Sequence, residues 1–184
     1  MHAILVHGWK GWPDNAWFPW LRRELEKQGM TTEALKMPNP LWPDRREWIK
    51  TLSDAITGPE TILIGHSLGC PTILFALQAH HGPPIHQAVL VAGFCRTFPF
   101  PLVDQWFDGE QIDMSIVKKK AKHWSVLHAK TDIMVPFKEG EWLAEQLGVP
   151  MTEVKSSWGH IAPENLAFEV PEILEAIVGK VRSA

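Results

Sequence analysis

Tyrosine is absent from the 184 residues, and cysteine occurs only twice. Cys70 and Cys95 form no C-x-x-C pair, so the chain offers neither a zinc nor a disulfide framework, and two reduced thiols are expected. No apolar run approaches the roughly 20 residues a membrane helix needs, and Met1–Val6 is too short for the apolar core of a signal peptide. A cytoplasmic protein with no membrane partner is expected. Charge excess is missing too: a formal net charge of −3 gives no general attraction to nucleic acid. Neither G-x-x-x-x-G-K-[ST] nor G-x-G-x-x-G occurs, which removes phosphate and dinucleotide cradles. His80, His81 and His86 have no cysteine or acidic neighbours at ligand spacing, so they read as a solvated loop, and no metal and no cofactor are expected. Lys118, Lys119, Lys120 and Lys122 read as a solvated helix face without the aromatic stripe of a nucleic-acid binder. The partner left by these exclusions is a small molecule.

What is present is an ordinary globular composition, 45% apolar and 21% charged, with ten tryptophans. A chain of this length buries roughly two-thirds of its unfolded surface as one domain, here 1–184. Trp9, Trp12, Trp17, Trp20 and Trp42 fall in the first 42 residues beside Pro13, Pro19 and Pro43, and are expected to line or shield one region, mostly as packing. Short apolar runs of strand length recur at Ala3–Val6, Thr32–Met37, Thr61–Ile64, Ile85–Ala92, Trp124–Ala129 and Met151–Lys155. Helical periodicity fills the gaps. Trp17, Leu21 and Leu25 repeat at i, i+4, i+8, and Trp48, Ile49, Leu52, Ala55 and Ile56 share a face behind Asp44 and Glu47, which read as a cap. An amphipathic helix follows Ser67, another carries Trp142, Leu143 and Leu147, and a last one starts at Pro171. Alternating short apolar strands and helices predict an α/β three-layer sandwich: a mostly parallel sheet of about six strands covered on both faces.

In such sheets ligands bind beyond the carboxyl ends of the strands. The residues there are His7-Gly8-Trp9, Gly65-His66-Ser67, Gly93-Phe94, Lys130-Thr131-Asp132 and Ser157-Trp158-Gly159-His160. A serine hydroxyl needs a base within hydrogen-bond reach and a third group to orient that base. Ser67 on a strand-to-helix turn, Asp132 after strand five and His160 after strand six supply nucleophile, acid and base, in the order Ser…Asp…His. Gly65 and Gly69 flank the turn, where a side chain would collide as the chain reverses; a simple helix N-cap explains the serine but not the paired glycines. His7 and His128 are alternative bases, His7 more simply shaping its own turn, and Asp104, Asp108 and Asp113 are competing acids within an irregular stretch.

Donors for an oxyanion are expected from the backbone N–H groups of Leu68 and Trp9. The segment from Phe94 to about Lys122 (94–122), with "FCRTFPFPLVDQWFDG", reads as a candidate short cap over the rim. It is expected to bring Phe98, Phe100, Trp106 and Phe107 near the cleft, with Trp9, Phe94, Phe98 and Trp106 as the substrate pocket. "VHGW…WF…L", "IGHSLG", "KTDIMVPF" and "GHIAPE" together resemble the small serine-hydrolase family of α/β-hydrolase fold that includes the retinoblastoma-binding serine hydrolase of animals and many short bacterial proteins. The resemblance spans nearly the whole chain and implies a Ser67–Asp132–His160 triad with esterase-like hydrolysis. The L-x-C-x-E element of the animal protein has no counterpart around Cys70 or Cys95, so retinoblastoma-protein binding is not expected. The leading expectation is a cofactor-independent hydrolase of small carboxylic esters. Amide or thioester hydrolysis, a lyase reaction, or a non-catalytic interaction module using the Trp-rich region are the alternatives.

Overall fold

The computed structural model describes residues 1–154, 159–163 and 167–181. Among the described residues six strands and seven helices follow one another: β1 (His2–Val6), α1 (Phe18–Lys27), β2 (Thr31–Ala34), α2 (Arg45–Ala55), β3 (Thr61–His66), α3 (Gly69–Ala79), β4 (Ile85–Val91), α4 (Pro101–Phe107), α5 (Met114–Val117), β5 (Ala121–His128), α6 (Phe137–Leu147), β6 (Met151–Glu153) and α7 (Pro171–Val181). The sheet order is β2-β1-β3-β4-β5-β6, and every pairing is parallel. The chain steps from β1 to β2 on one side and returns to place β3 on the other. That reversal opens a crevice between the carboxyl ends of β1 and β3, where such sheets bind ligands.

Alternation along the strands divides the core in two. Ala3, Leu5, Ile62, Ile64, Val89 and Val91 point to the face covered by α1 and α7, with Leu21, Leu25, Ile173 and Ile177 against them. Ile4, Val6, Leu63, Ala88 and Leu90 point the other way, toward α2, α3, α6 and the segment after β4. Asp44 caps α2 as its position predicts, accepting the Glu47 N–H at 2.9 Å. Among the described residues no helix is long and apolar enough to cross a membrane. Cys70 and Cys95 are both free and buried.

Several local expectations are corrected by tertiary packing. The helix after Ser67 is not amphipathic: Gly69 through Leu77 are all buried, because α3 lies between the sheet, α2 and the 94–122 segment. The early tryptophans do not share a region. Trp17 and Trp20 pack with the core on the α1 side of the sheet, Trp9 packs against the core on the other side, and Trp12 and Trp42 are exposed. Lys118–Lys120 form a turn after α5 and Lys122 lies in β5, so the lysines make no helix face. His86 is not in a solvated loop but in β4, buried against the His123 ring at 5.2 Å. The expected strand residue Lys155 and the rim residues Ser157 and Trp158 lie outside the described residues.

Candidate active site

Ser67 stands where β3 becomes α3, at φ 53°, in the left-handed region that a non-glycine residue adopts only at a cost of about 1–2 kcal/mol. Its surroundings hold it there. The Ser67 N–H donates to the Val91 carbonyl at 2.9 Å, and its own carbonyl accepts the Cys70 N–H at 2.9 Å. A Cβ on Gly69 would sit 2.2 Å from the Val6 carbonyl oxygen, so only glycine lets α3 start this close to β1. Gly65 is similarly enclosed by Ile73 and the Cys70 N–H, and a Cβ on Gly8 would lie 2.8 Å from the Ser67 Cβ. The hydroxyl therefore projects into the crevice between the β1 and β3 loops.

His160 and Asp132 meet it there. His160 Nε2 lies 2.9 Å from Ser67 Oγ, and His160 Nδ1 lies 2.8 Å from Asp132 Oδ2. Asp132 Oδ1 accepts the N–H groups of Met134 (2.8 Å) and Val135 (2.9 Å), which fixes the carboxylate from the loop after β5. His128 Nε2 faces two oxygens, Val135 O at 3.0 Å and Asp132 Oδ2 at 3.3 Å, and so must carry a proton on that nitrogen. Burial pushes the Asp132 carboxyl up, but bonds from His128 and His160, and the His160 charge, outweigh it and hold it well below the usual carboxylate range. The alternative base His7 is occupied elsewhere. Its Nδ1 pairs with Gly8 O at 2.9 Å, its Nε2 accepts the Met37 N–H at 3.3 Å, and burial lowers its pKa. Asp113 caps α5 and is exposed, away from the serine.

The His160 loop is held by residues that sequence reasoning did not single out. The buried His66 ring lies under the His160 ring at 5.0 Å, and His66 Nε2 pairs with the His160 carbonyl at 2.8 Å. A carbonyl only accepts, so the proton is on His66 Nε2. Burial, then the neighbouring His160 charge, lower the His66 pKa to about 3. Trp17 Nε1 donates to Ile161 O at 3.1 Å, and the Gly159 N–H donates to Thr131 Oγ1 at 3.2 Å. Their signal was adjacency: His66 precedes Ser67, and Thr131 precedes Asp132.

Two cavities open on the serine. One, about 220 Å³, is walled by Trp9, Leu68, Phe94, Phe98, Phe100, Leu102, Val103, Met134 and Val135. The other, about 240 Å³, is bounded by Gly8, Trp9, Trp12, Asn15, His66 and Ala162. Ser67, His160 and Lys10 belong to both. Among the described residues, no backbone or side-chain acceptor takes the N–H of Trp9 or Leu68. Of the expected pocket residues, Trp9, Phe94 and Phe98 line the first cavity, and Phe100 joins them. Trp106 does not. It packs edge-on against Trp48 at 5.4 Å, and the Phe107 ring lies tilted on Phe75 at 5.6 Å, both turned inward because α4 docks with that face on α2 and α3. The thiols take no part: burial pushes Cys70 far above the usual thiol range and Cys95 up to about 12.

The serine hydrolase family profile matches residues 3–177. YdeN of Bacillus subtilis is 32% identical over 179 residues, 95% of this chain and 93% of that protein. The crystal structure of the ydeN product superposes with a TM-score of 0.91, covering 98% of each chain at 30% identity. A Xanthomonas campestris protein of the α/β hydrolase superfamily gives a TM-score of 0.73 over 100% of this chain and 99% of its own, at 21% identity. Est1E from Butyrivibrio proteoclasticus gives 0.75 over 98% and 88%, at 13% identity, and these two speak to the fold alone. A profile and a relative that each run along nearly the whole chain establish that it belongs to the serine hydrolase family and has the α/β-hydrolase fold.

Proposed function

We propose that the protein hydrolyses small carboxylic esters through an acyl-enzyme on Ser67. The observation that carries this reading is the continuous hydrogen-bonded path from Ser67 Oγ through His160 to Asp132, with steps of 2.9 and 2.8 Å. His160 Nε2 takes the serine proton as Oγ attacks the ester carbonyl, then returns it to the departing alkoxide oxygen. Asp132 keeps the other ring proton on Nδ1 and balances the imidazolium that forms. The unused N–H groups of Trp9 and Leu68 stabilise the negative oxygen of the tetrahedral intermediate. A water activated by the same imidazole then releases the acid. The 220 Å³ apolar cavity receives the acyl group, and its volume suits a short one. An intact path of this kind in an open cavity favours turnover over a purely protein-binding role.

The test is labelling with a fluorophosphonate probe and turnover of 4-nitrophenyl acetate, for wild type and Ser67→Ala. Wild type is expected to label and turn over; Ser67→Ala is expected to lose both while keeping its circular dichroism. Equal turnover in the two proteins removes Ser67 as the nucleophile.

A further inference from the structure

We infer that the substrate carries a carboxylate and that Lys10 receives it, a conclusion that rests on the hydrolase reading and narrows its substrate class. Lys10 lines both cavities that meet at Ser67. Apart from the imidazoles of His66 and His160, every other described residue lining either cavity is uncharged. The carboxylate of Asp132 is enclosed behind His160 and His128 and gives the cavities no exposed negative charge. Among the described residues the lining therefore carries one fixed charge, the Lys10 ammonium, and a negatively charged group is the one it attracts.

Lys10 is placed rather than loose. It follows Trp9 in the loop after β1, at φ 59°, a conformation that glycine or asparagine adopts more easily. Its N–H donates to Pro40 O at 2.9 Å, and the next N–H, of Gly11, returns to Gly8 O at 3.0 Å. Its ammonium lies 4.0 Å above the centre of the Trp9 ring, and Trp9 is itself tied through Nε1 to Leu41 O at 3.0 Å. Among the described residues Lys10 makes no ion pair. An aromatic face holds the cation without neutralising it, so the charge stays available to a ligand. The backbone there is bent into a region that glycine or asparagine adopts more easily, yet the position holds a lysine, which fits a role for the ammonium in the site.

Because Lys10 borders both cavities, the carboxylate can be on the acyl half or on the alcohol half of the ester, and two substrate pairs separate these. Monoethyl succinate against ethyl pentanoate places charge on the acyl side; 4-acetoxybenzoate against its methyl ester places it on the alcohol side. Lys10→Asn is the informative variant, since asparagine tolerates the positive φ while removing the charge. For at least one pair, the charged-to-neutral ratio of kcat/KM is expected to fall about tenfold in Lys10→Asn, mainly through KM, and to be kept in Lys10→Arg. Raising the salt from 20 to 500 mM is expected to erode the wild-type ratio and leave that of Lys10→Asn flat. Ratios that are the same in wild type and Lys10→Asn for both pairs overturn the inference. Calorimetric binding of 4-hydroxybenzoate and of glutarate to Ser67→Ala, with and without Lys10→Asn, reads the same site without turnover. Weaker carboxylate binding on loss of Lys10, together with a wild type that itself cleaves no ester, would keep the carboxylate site and discard the hydrolase reading. Binding of both acids that is indifferent to Lys10 overturns the site itself.

Discussion

Asp132 takes hydrogen bonds from Met134 N, Val135 N and His160, and lies within 3.3 Å of His128 Nε2. All but the His128 and His160 contacts are with the backbone, so replacing the acid by its amide should leave the loop in place and change only what faces the two rings. In Asp132→Asn the side-chain oxygen can keep the Met134 and Val135 N–H groups, and the amide nitrogen then meets His160 Nδ1 donor to donor. The imidazole must turn over its tautomer or lose its anchor, and Nε2 is no longer a free base for Ser67. Turnover of 4-nitrophenyl acetate is expected to fall on the order of ten-thousandfold, while His160→Ala approaches the larger loss of Ser67→Ala, on the order of a millionfold. Steady-state kinetics with circular dichroism as the fold control checks the order. Wild-type kcat in Asp132→Asn would remove the orienting role. That Ser67, Asp132 and His160 would meet was legible in the sequence because each lies in the loop or turn that follows a strand, and strand ends are countable from apolar runs. The place of Lys10 on both cavities was not, because it depends on how distant segments pack around the serine, and no local pattern encodes that.

Among the elements, α3 and α4 decide the site's shape, and they differ in how far their sequences reveal it. The succession of strands and helices, the elbow and the capped α2 follow from period, turn residues and caps, all of them local. The orientation of α4 does not. Its residues Leu102 and Val103 wall the cavity beside Ser67, while Trp106 and Phe107, one turn on, face Trp48 and Phe75. Which face of a short helix turns inward depends on where it docks, and that docking is set by α2 and α3, distant in sequence. The same packing limits the acyl group. Each further methylene gains about 0.8 kcal/mol only while apolar wall remains to cover it, and the cavity of about 220 Å³ closes against Phe94, Phe98 and Phe100. Across uncharged 4-nitrophenyl esters kept below their solubility limits, kcat/KM is expected to peak at short acyl chains. Phe98→Ala, which opens the wall, is expected to move the peak to a longer chain. A wild-type maximum at long chains with activation at a lipid interface would contradict the short-acyl reading.

The whole molecule carries the electrostatic consequence of having buried histidines beside its site. His66 is 4% exposed and spends its Nε2 proton on the His160 carbonyl, and burial holds its pKa down at about 3, from an ordinary value of 6.5. His7 is shifted in the same direction, also by burial. Below pH 6.5 the unfolded chain takes up protons on these rings that the folded chain refuses, so unfolding gains protons and stability falls as the pH falls. The His66 contribution is therefore fully present above pH 6.5 and is lost progressively on the way to about pH 3. Each unit is worth about 1.4 kcal/mol, so the two units down to pH 4.5 correspond to about 3 kcal/mol at most. For a chain of this size that is about 6–12 °C in Tm. Asp132 adds to acid loss only lower down, since its carboxyl is held below the ordinary range and its contribution fades only as the pH drops under the ordinary aspartate value of about 3.9. His66→Gln isolates the histidine term: the glutamine amide can still donate to the His160 carbonyl but does not titrate. Thermal melts from pH 7.5 to 4.5 are expected to fall steeply for wild type and by several degrees less for His66→Gln, whatever the variant's starting stability. Parallel curves for the two proteins would show that His66 is not the group whose protonation the fold resists.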